Sequence, residues 1–217
     1  MKDKVSHIAL IPARKGSSGF KNKNSKFFKL TANFVKKMSF IDKVYVTTND
    51  PLVAKKARKE KFLVFQRSEK YAKSNISIKD TVLEFCNNNL LEKNVFIWLL
   101  YIPIVNRNIK DFNFAKKILE KKKYKSLMTF FKSDSHPYNC WQINKKNKIK
   151  KYIKNNIFRR QDLPKSYEHH HYICVFQTKD LKHMNGELIS KNTYPLKNIK
   201  KSIYEIDTYN DYKKWKN

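Results

Sequence analysis

The chain has little that bends it and little that cross-links it. Its 217 residues include 3 Gly and 6 Pro, which excludes collagen-like and linker-like polymers. Cys86, Cys140 and Cys174 are odd in number and form no CxxC pair. That excludes a disulfide framework and fits a reducing, cytoplasmic compartment. Long apolar runs are missing too. The longest, Val95–Tyr101, falls far short of the ~20 residues of a membrane span, so no membrane partner is expected. Near the start, Ile8–Ala13 is apolar but runs straight into a polar loop, unlike a signal peptide with its cleavage site. Acids are scarce, 18 against 48 basic residues. Among the bases Arg is scarce in turn: Arg14, Arg58, Arg67, Arg107, Arg159 and Arg160, with all the rest Lys.

What is present is core material. Hydrophobic residues make up 41% and aromatics 14%, enough for one folded domain spanning 1–217 and too much for a wholly disordered chain. The formal charge of +30 opens a nucleic-acid reading. Dedicated phosphate and base readers favour Arg, whose fork binds in a bidentate way. A Lys-rich chain that is also rich in Asn, Ile, Tyr and Phe fits an AT-rich coding sequence instead. An RNA- or DNA-binding protein stands as the alternative; it requires a contiguous basic face with exposed aromatics and binding that weakens steeply with salt.

Apolar runs alternate with helical patterns. Val5–Pro12, Lys43–Thr48, Phe62–Phe65, Val95–Tyr101, Ser126–Phe131, Tyr172–Gln177 and Ile203–Asp207 read as strands. Helices are expected from Pro51, over Ile78–Leu90, over Phe112–Lys121 and over Tyr209–Trp215. This alternation predicts an α/β fold, a mostly parallel sheet flanked by helices. Between Lys132 and Lys165 the helical period vanishes, and Trp141–Ile143 and Ile149–Ile153 flank a Lys/Asn-rich turn. That segment reads as a small β-rich extension.

The first strand runs into Pro12-Ala13-Arg14-Lys15-Gly16-Ser17-Ser18-Gly19-Phe20-Lys21-Asn22-Lys23-Asn24. A loop of small residues at the carboxyl end of a strand lets backbone N–H groups approach an anion, and Arg14, Lys21 and Lys23 add charge suited to a polyphosphate. Neither the P-loop nor the GxGxxG spacing is met, and an ordinary basic turn is the competing reading. Glu205 and Asp207 stand at i and i+2, so a strand would present both carboxylates on one face. Mg²⁺ suits such a pair because it takes one or two carboxylates plus phosphate oxygens; two solvated acids on an edge are the alternative.

IPARKGSSGFKNKN resembles the opening signature of the CMP-sialic acid synthetases, the acylneuraminate cytidylyltransferases. Further segments resemble that family in order: FIDKVYVTTND at 40–50, RSEKYA at 67–72, Leu99–Arg107, RRQDLP at 159–164 followed by Tyr167, and EIDT at 205–208 with Asp211. The resemblance implies a Rossmann-like nucleotide-diphospho-sugar transferase fold. It implies transfer of CMP from CTP to the anomeric hydroxyl of a nine-carbon 2-keto sugar acid, with release of pyrophosphate. It further implies Mg²⁺ at Glu205 and Asp207, and a homodimer in which 132–165 packs on the partner subunit.

By the same resemblance, Arg14, Lys23 and Asp207 would be catalytic. The nucleotide would meet Arg14, Ser17, Ser18, Lys23, Asn24, Arg67 and Ser77. The sugar acid would meet Tyr101, Arg160, Gln161, Tyr167, His170 and His171. The chain departs from the pattern in places. Ser18 stands where the family has Lys, and the stretch 25–38 is short, so the first helix is expected to be truncated or its connection rebuilt. A catalytically weakened relative is therefore a further alternative. Tyr101 replaces a Gln, and His169-His170-His171 replace an Asn-Gly. His169 and His171 share a strand face, which permits a metal site, but no Cys or carboxylate cluster nearby completes one. Sugar contacts and a structural role are the other readings of the triple His.

Overall fold

The computed structural model describes residues 5–16, 19–89, 91, 94–122, 124–197, 199 and 203–216. Ser17 and Ser18, both expected at the nucleotide, lie outside them.

The strands are β1 (His7–Ala13), β2 (Lys43–Thr48), β3 (Leu63–Gln66), β4 (Phe96–Leu99), β5 (Ser126–Lys132), β6 (Trp141–Ile143), β7 (Ile149–Lys151), β8 (Tyr167–Gln177) and β9 (Tyr194–Leu196). The α-helices are α1 (Lys23–Val35), α2 (Pro51–Lys59), α3 (Ile78–Asn88), α4 (Ile109–Lys122) and α5 (Tyr209–Lys216). Seven strands form one sheet in the order β3-β2-β1-β4-β8-β5-β9. Only β8 runs against its neighbours β4 and β5; the other pairs are parallel. None of the described helices is long and apolar enough to cross a membrane.

Alternation along the central strands builds a core on each face. On β1, Ala9 and Ile11 join the residues of α1, α2 and α4, while Ile8 and Leu10 join those of α3. On β4, Phe96 and Trp98 face the first layer and Ile97 and Leu99 the second. Trp98 has no exposed surface, and its indole N–H donates to His7 Nδ1 at 3.0 Å. Trp98→Ala would cost about 3–5 kcal/mol through lost contact and a residual cavity.

The helix starts follow from local chemistry. Asp50 caps α2 by accepting from the amides of Leu52 and Val53, and Pro51 takes the first helical position, where no N–H is needed. Ser77 caps α3 by accepting from the Asp80 amide at 3.1 Å. The first helix, α1, runs for 13 residues.

Two expectations need correction, and one strand is additional. Ile203–Asp207 is not a strand; it makes a single bridge, Glu205 to Ile104. Its pairing stops because the opposing backbone includes Pro103, which has no N–H to donate. Strand β8 begins at Tyr167, not Tyr172, because its polar first half pairs with β5 beyond a register shift at Met128/Thr129. The short β9 was not anticipated; it contains Pro195 and lies at the sheet edge, where a missing donor is tolerated. The β-rich extension is present as a separate two-stranded sheet of β6 and β7.

Candidate active site

A cavity of ≈ 390 Å³ opens at the carboxyl ends of β1, β3 and β4. Such an end of a parallel sheet is where ligands bind in open α/β folds. Its lining includes Arg14, Lys23, Asn24, Arg67, Ser77 and Tyr101 from the expected set, with Glu205 and Asp207 from the C-terminal segment. These residues come from segments as far apart as Arg14 and Asp207.

The loop after β1 is braced by the end of β2. Thr48 donates its hydroxyl to the Ala13 carbonyl at 2.5 Å. Asn49 accepts the Lys15 amide at 2.8 Å. The Asn24 side-chain amide donates to the Arg14 carbonyl at 2.9 Å. Gly16 takes φ +80°, a left-handed conformation that a side chain would strain. The loop leads into α1, whose first turn carries no acid and whose Asn22 makes no side-chain cap. The positive end of the helix is thus left to an anion.

Arg67 is 5% exposed. Its guanidinium donates to the Thr47 hydroxyl at 3.3 Å and the Thr47 carbonyl at 3.0 Å. Burial lowers its pKa to about 10, opposed by the nearby Glu84 carboxylate. Ser77 lines the cavity, but its hydroxyl donates to Asp80 at 2.7 Å and so serves the α3 cap. The Tyr101 hydroxyl has its pKa pushed up by burial, so it stays a neutral donor. Arg107 holds that segment in place: it donates to the Tyr101 carbonyl and to Thr31, with its guanidinium over Phe34.

The C-terminal acids keep the alternation of an extended chain even without a strand. Ile206 is buried in the core, while Glu205 and Asp207 both line the cavity. Lys23 Nζ lies 2.5 Å from Asp207 Oδ1, and His170 Nε2 lies 3.3 Å from Glu205 Oε2. His170 Nδ1 accepts the Tyr172 amide at 3.0 Å, which leaves its proton on Nε2, facing Glu205. That bond lowers the pKa of Glu205, against the opposing effect of burial. Each carboxylate retains one oxygen, Glu205 Oε1 and Asp207 Oδ2, with no hydrogen bond among the described residues. Two hard oxygen donors beside a basic loop fit Mg²⁺.

The remaining expected sugar-acid residues divide. His170 reaches the site through Glu205. His171 packs against Tyr101, ring centroids 4.9 Å apart, and burial lowers its pKa. Arg160, Gln161 and Tyr167 are not brought to the cavity within one chain. Arg160 and Gln161 lie instead beside Lys132, Ser133 and His136, at the base of the extension. Tyr167 is exposed, with Lys197 over its ring.

Sequence reading missed Tyr71, Lys73, Ser74 and Glu187, all part of the lining. The first three lie between Arg67 and Ser77, so their place along the chain was a usable signal. Glu187 lies in a loop with no motif of its own. It also corrects the expectation that no Cys or carboxylate cluster completes a site at the triple His, since its Oε2 lies 3.6 Å from His169 Nε2 and 3.9 Å from His171 Nε2.

No family model matches the chain, and no curated protein matches its sequence. Solved structures do match. CMP:2-keto-3-deoxy-manno-octonic acid synthetase complexed with CTP aligns with a TM-score of 0.66 at 13% identity, over 97% of this chain and 96% of that one. A 4-diphosphocytidyl-2C-methyl-D-erythritol synthase gives 0.61 at 10% identity, over 98% and 97%. A cytidylyltransferase from Leptospira borgpetersenii gives 0.60 at 14% identity, over 98% and 86%. The chain has the Rossmann-like nucleotide-diphospho-sugar transferase fold of these proteins.

Proposed function

We propose that this chain is a cytidylyltransferase that moves CMP from CTP to a 2-keto sugar acid. The observation that carries the reading is the meeting of Arg14, Lys23, Asn24 and Arg67 with Glu205 and Asp207 around one cavity. A triphosphate needs cations and a hard cation needs carboxylates; both sets line the cavity. The neighbours' names point the same way, since one such protein was solved with CTP.

In this reading the anomeric hydroxyl oxygen of the acceptor attacks the α-phosphorus of CTP in line. The bond from that phosphorus to the bridging oxygen breaks, pyrophosphate leaves and the hydroxyl proton is released. Arg14 and Lys23 hold the phosphates, so catalysis is chiefly positioning and neutralisation of developing charge. Asn24 fixes the Arg14 backbone, and Arg67 faces the nucleotide. Glu205 and Asp207 would hold Mg²⁺, which supplies charge neutralisation on the phosphate oxygens. His170 keeps Glu205 ionised by donating to it.

The finer reading is a nine-carbon, sialic-acid-like acceptor and a homodimer. Phe158 is 95% exposed, and Trp141, Ile143, Ile149 and Tyr152 of the extension are exposed as well. A second copy covering these side chains would bring Arg160 and Gln161 toward a neighbouring cavity. The test is pyrophosphate release from CTP and Mg²⁺ with a panel of eight- and nine-carbon 2-keto acids and 2C-methylerythritol phosphate. Turnover with a keto acid is expected. No turnover with any acceptor, together with tight salt-sensitive RNA binding, would reverse the reading in favour of a nucleic-acid protein.

A further inference from the structure

Three residues to which the proposed transfer assigns no step, His169, His171 and Glu187, converge at the edge of the cavity, which Glu187 helps to line. His169 and His171 are two apart on β8, so strand alternation puts both rings on one face and His170 on the other. The two rings lie 5.5 Å apart at 85°. Glu187 reaches them from the loop after the short 3₁₀ turn Thr178–His183. Its Oε2 is 3.6 Å from His169 Nε2 and 3.9 Å from His171 Nε2. One ligand atom from each of the three lies within 4.8 Å of the others, and no other such trio occurs among the described residues.

We propose that His169, His171 and Glu187 form a binding site for one divalent transition-metal ion of the zinc class. Two imidazole nitrogens and one carboxylate oxygen are a borderline-soft donor set that suits zinc and its first-row neighbours better than Mg²⁺. With metal–ligand bonds of about 2.0–2.2 Å, a tetrahedral ion holds its ligand atoms about 3.3–3.5 Å apart. The two carboxylate–imidazole separations, 3.6 and 3.9 Å, need to close by about 0.1–0.6 Å, and the two imidazole nitrogens, within 4.8 Å of each other, by up to about 1.5 Å. Glu187 is exposed enough to make that movement, its side chain 57% accessible. His171 Nε2 now lies 3.3 Å from the Glu187 carbonyl. Metal binding replaces that long bond by placing the imidazole proton on Nδ1.

The surroundings hold the trio in place. Tyr101 packs against the His171 ring. Leu188, 1% exposed, anchors the loop beside Glu187. The Asn185 side chain accepts the amides of Glu187 and Ile189 at 3.1 and 2.9 Å. Three protein ligands leave a further coordination position, and Glu187 and Tyr101 both line the cavity, so that position borders it. The site does not rest on cytidylyl transfer, and its test needs neither CTP nor an acceptor.

Tag-free protein stripped with a chelator is titrated with Zn²⁺ alone against a chromophoric chelator, and separately with Co²⁺. One tight zinc equivalent is expected, with the strong visible absorption of low-coordinate cobalt. A hundredfold excess of Mg²⁺ should not displace it. His169→Asn, Glu187→Gln and His171→Asn should each weaken zinc by at least ~100-fold, since even supporting residues around metal sites are worth 10–100-fold. His183→Asn, at an exposed histidine that is not part of the trio, should not. His169 and Glu187 are exposed, so their variants carry the test if His171→Asn fails to fold. Absence of a tight equivalent, or its survival in both His169→Asn and Glu187→Gln, overturns the site.

Discussion

Lys23 at the start of α1 and Asp207 in the C-terminal segment, 184 positions apart, meet at 2.5 Å. The lysine side chain is 9% exposed and the aspartate 61%. The pair closes the cavity by joining the basic loop to the acidic segment. An ion pair this open to water stabilises the fold by about 1 kcal/mol or less. Its place in the cavity gives it more to do in turnover. Asp207→Asn is expected to shift stability by less than about 1 kcal/mol and to lower kcat/KM for CTP by at least about 100-fold. Denaturant unfolding and pyrophosphate release measure the two effects separately. Normal turnover in the variant would remove Asp207 from the chemistry.

Gly19 sets the distance between the same two segments. A Cβ built there would lie 2.4 Å from the Asp207 carbonyl oxygen, closer than any real contact, and the obstacle is backbone. Gly19→Ala must therefore push the 207 segment away. A cost of about 1–3 kcal/mol is expected from overpacking. Activity should fall further than stability predicts, because Asp207 moves with its carbonyl. A variant as active and as stable as the parent would show that the two segments are not held at this distance in solution.

The first two structural relationships illustrate what was legible in the chain. Lys23, Asn24, Arg67, Glu205 and Asp207 were identifiable because short ordered motifs carry them, and strands β2 and β4 are plain in the runs KVYVTT and VFIWLLY. The reasons for their position were not legible. That Thr48 and Asn49 brace the loop is a matter of side chains crossing between strands. Ile203–Asp207 has the composition of a strand and lacks a partner backbone able to pair along its length. The first half of β8 was missed because Tyr167–His169 are polar and exposed, so its burial pattern gives no period. Glu187 was missed because only the fold brings it to His169. Arg107 was placed at the end of a motif; its work, holding the Tyr101 carbonyl, appears only in three dimensions.

Helix α1 is tied to the end of α2 by one carboxylate. Glu60 accepts from Lys29 and from Lys36, each at 2.6 Å, and these two bonds lower its pKa from 4.5 to about 2. A depressed carboxylate stabilises the fold above its unfolded pKa and loses that contribution as pH falls through the folded value. The unfolding midpoints of the parent and Glu60→Gln should therefore differ above pH 4.5 and converge as pH falls toward 2. High salt should narrow the difference at neutral pH, since the lysines are exposed. A difference that widened on acidification would contradict the assignment.

Arg160 tests the proposed dimer, because within one chain it lies away from the cavity that holds Arg14 and Asp207. Its guanidinium suits a sugar carboxylate, and a charge-assisted bond contributes about 1.5–3 kcal/mol. If a partner subunit carries it to the site, Arg160→Ala should raise KM for the acid by about 10–100-fold and leave KM for CTP nearly unchanged. Sedimentation should show a dimer in both proteins. Phe158→Asp, which puts a charge on the most exposed aromatic of the extension, should shift the protein toward monomer and reproduce the same KM defect. A monomeric parent whose acid KM ignores both substitutions would confine the acceptor site to one chain, and Arg160 would then be a surface residue of the extension.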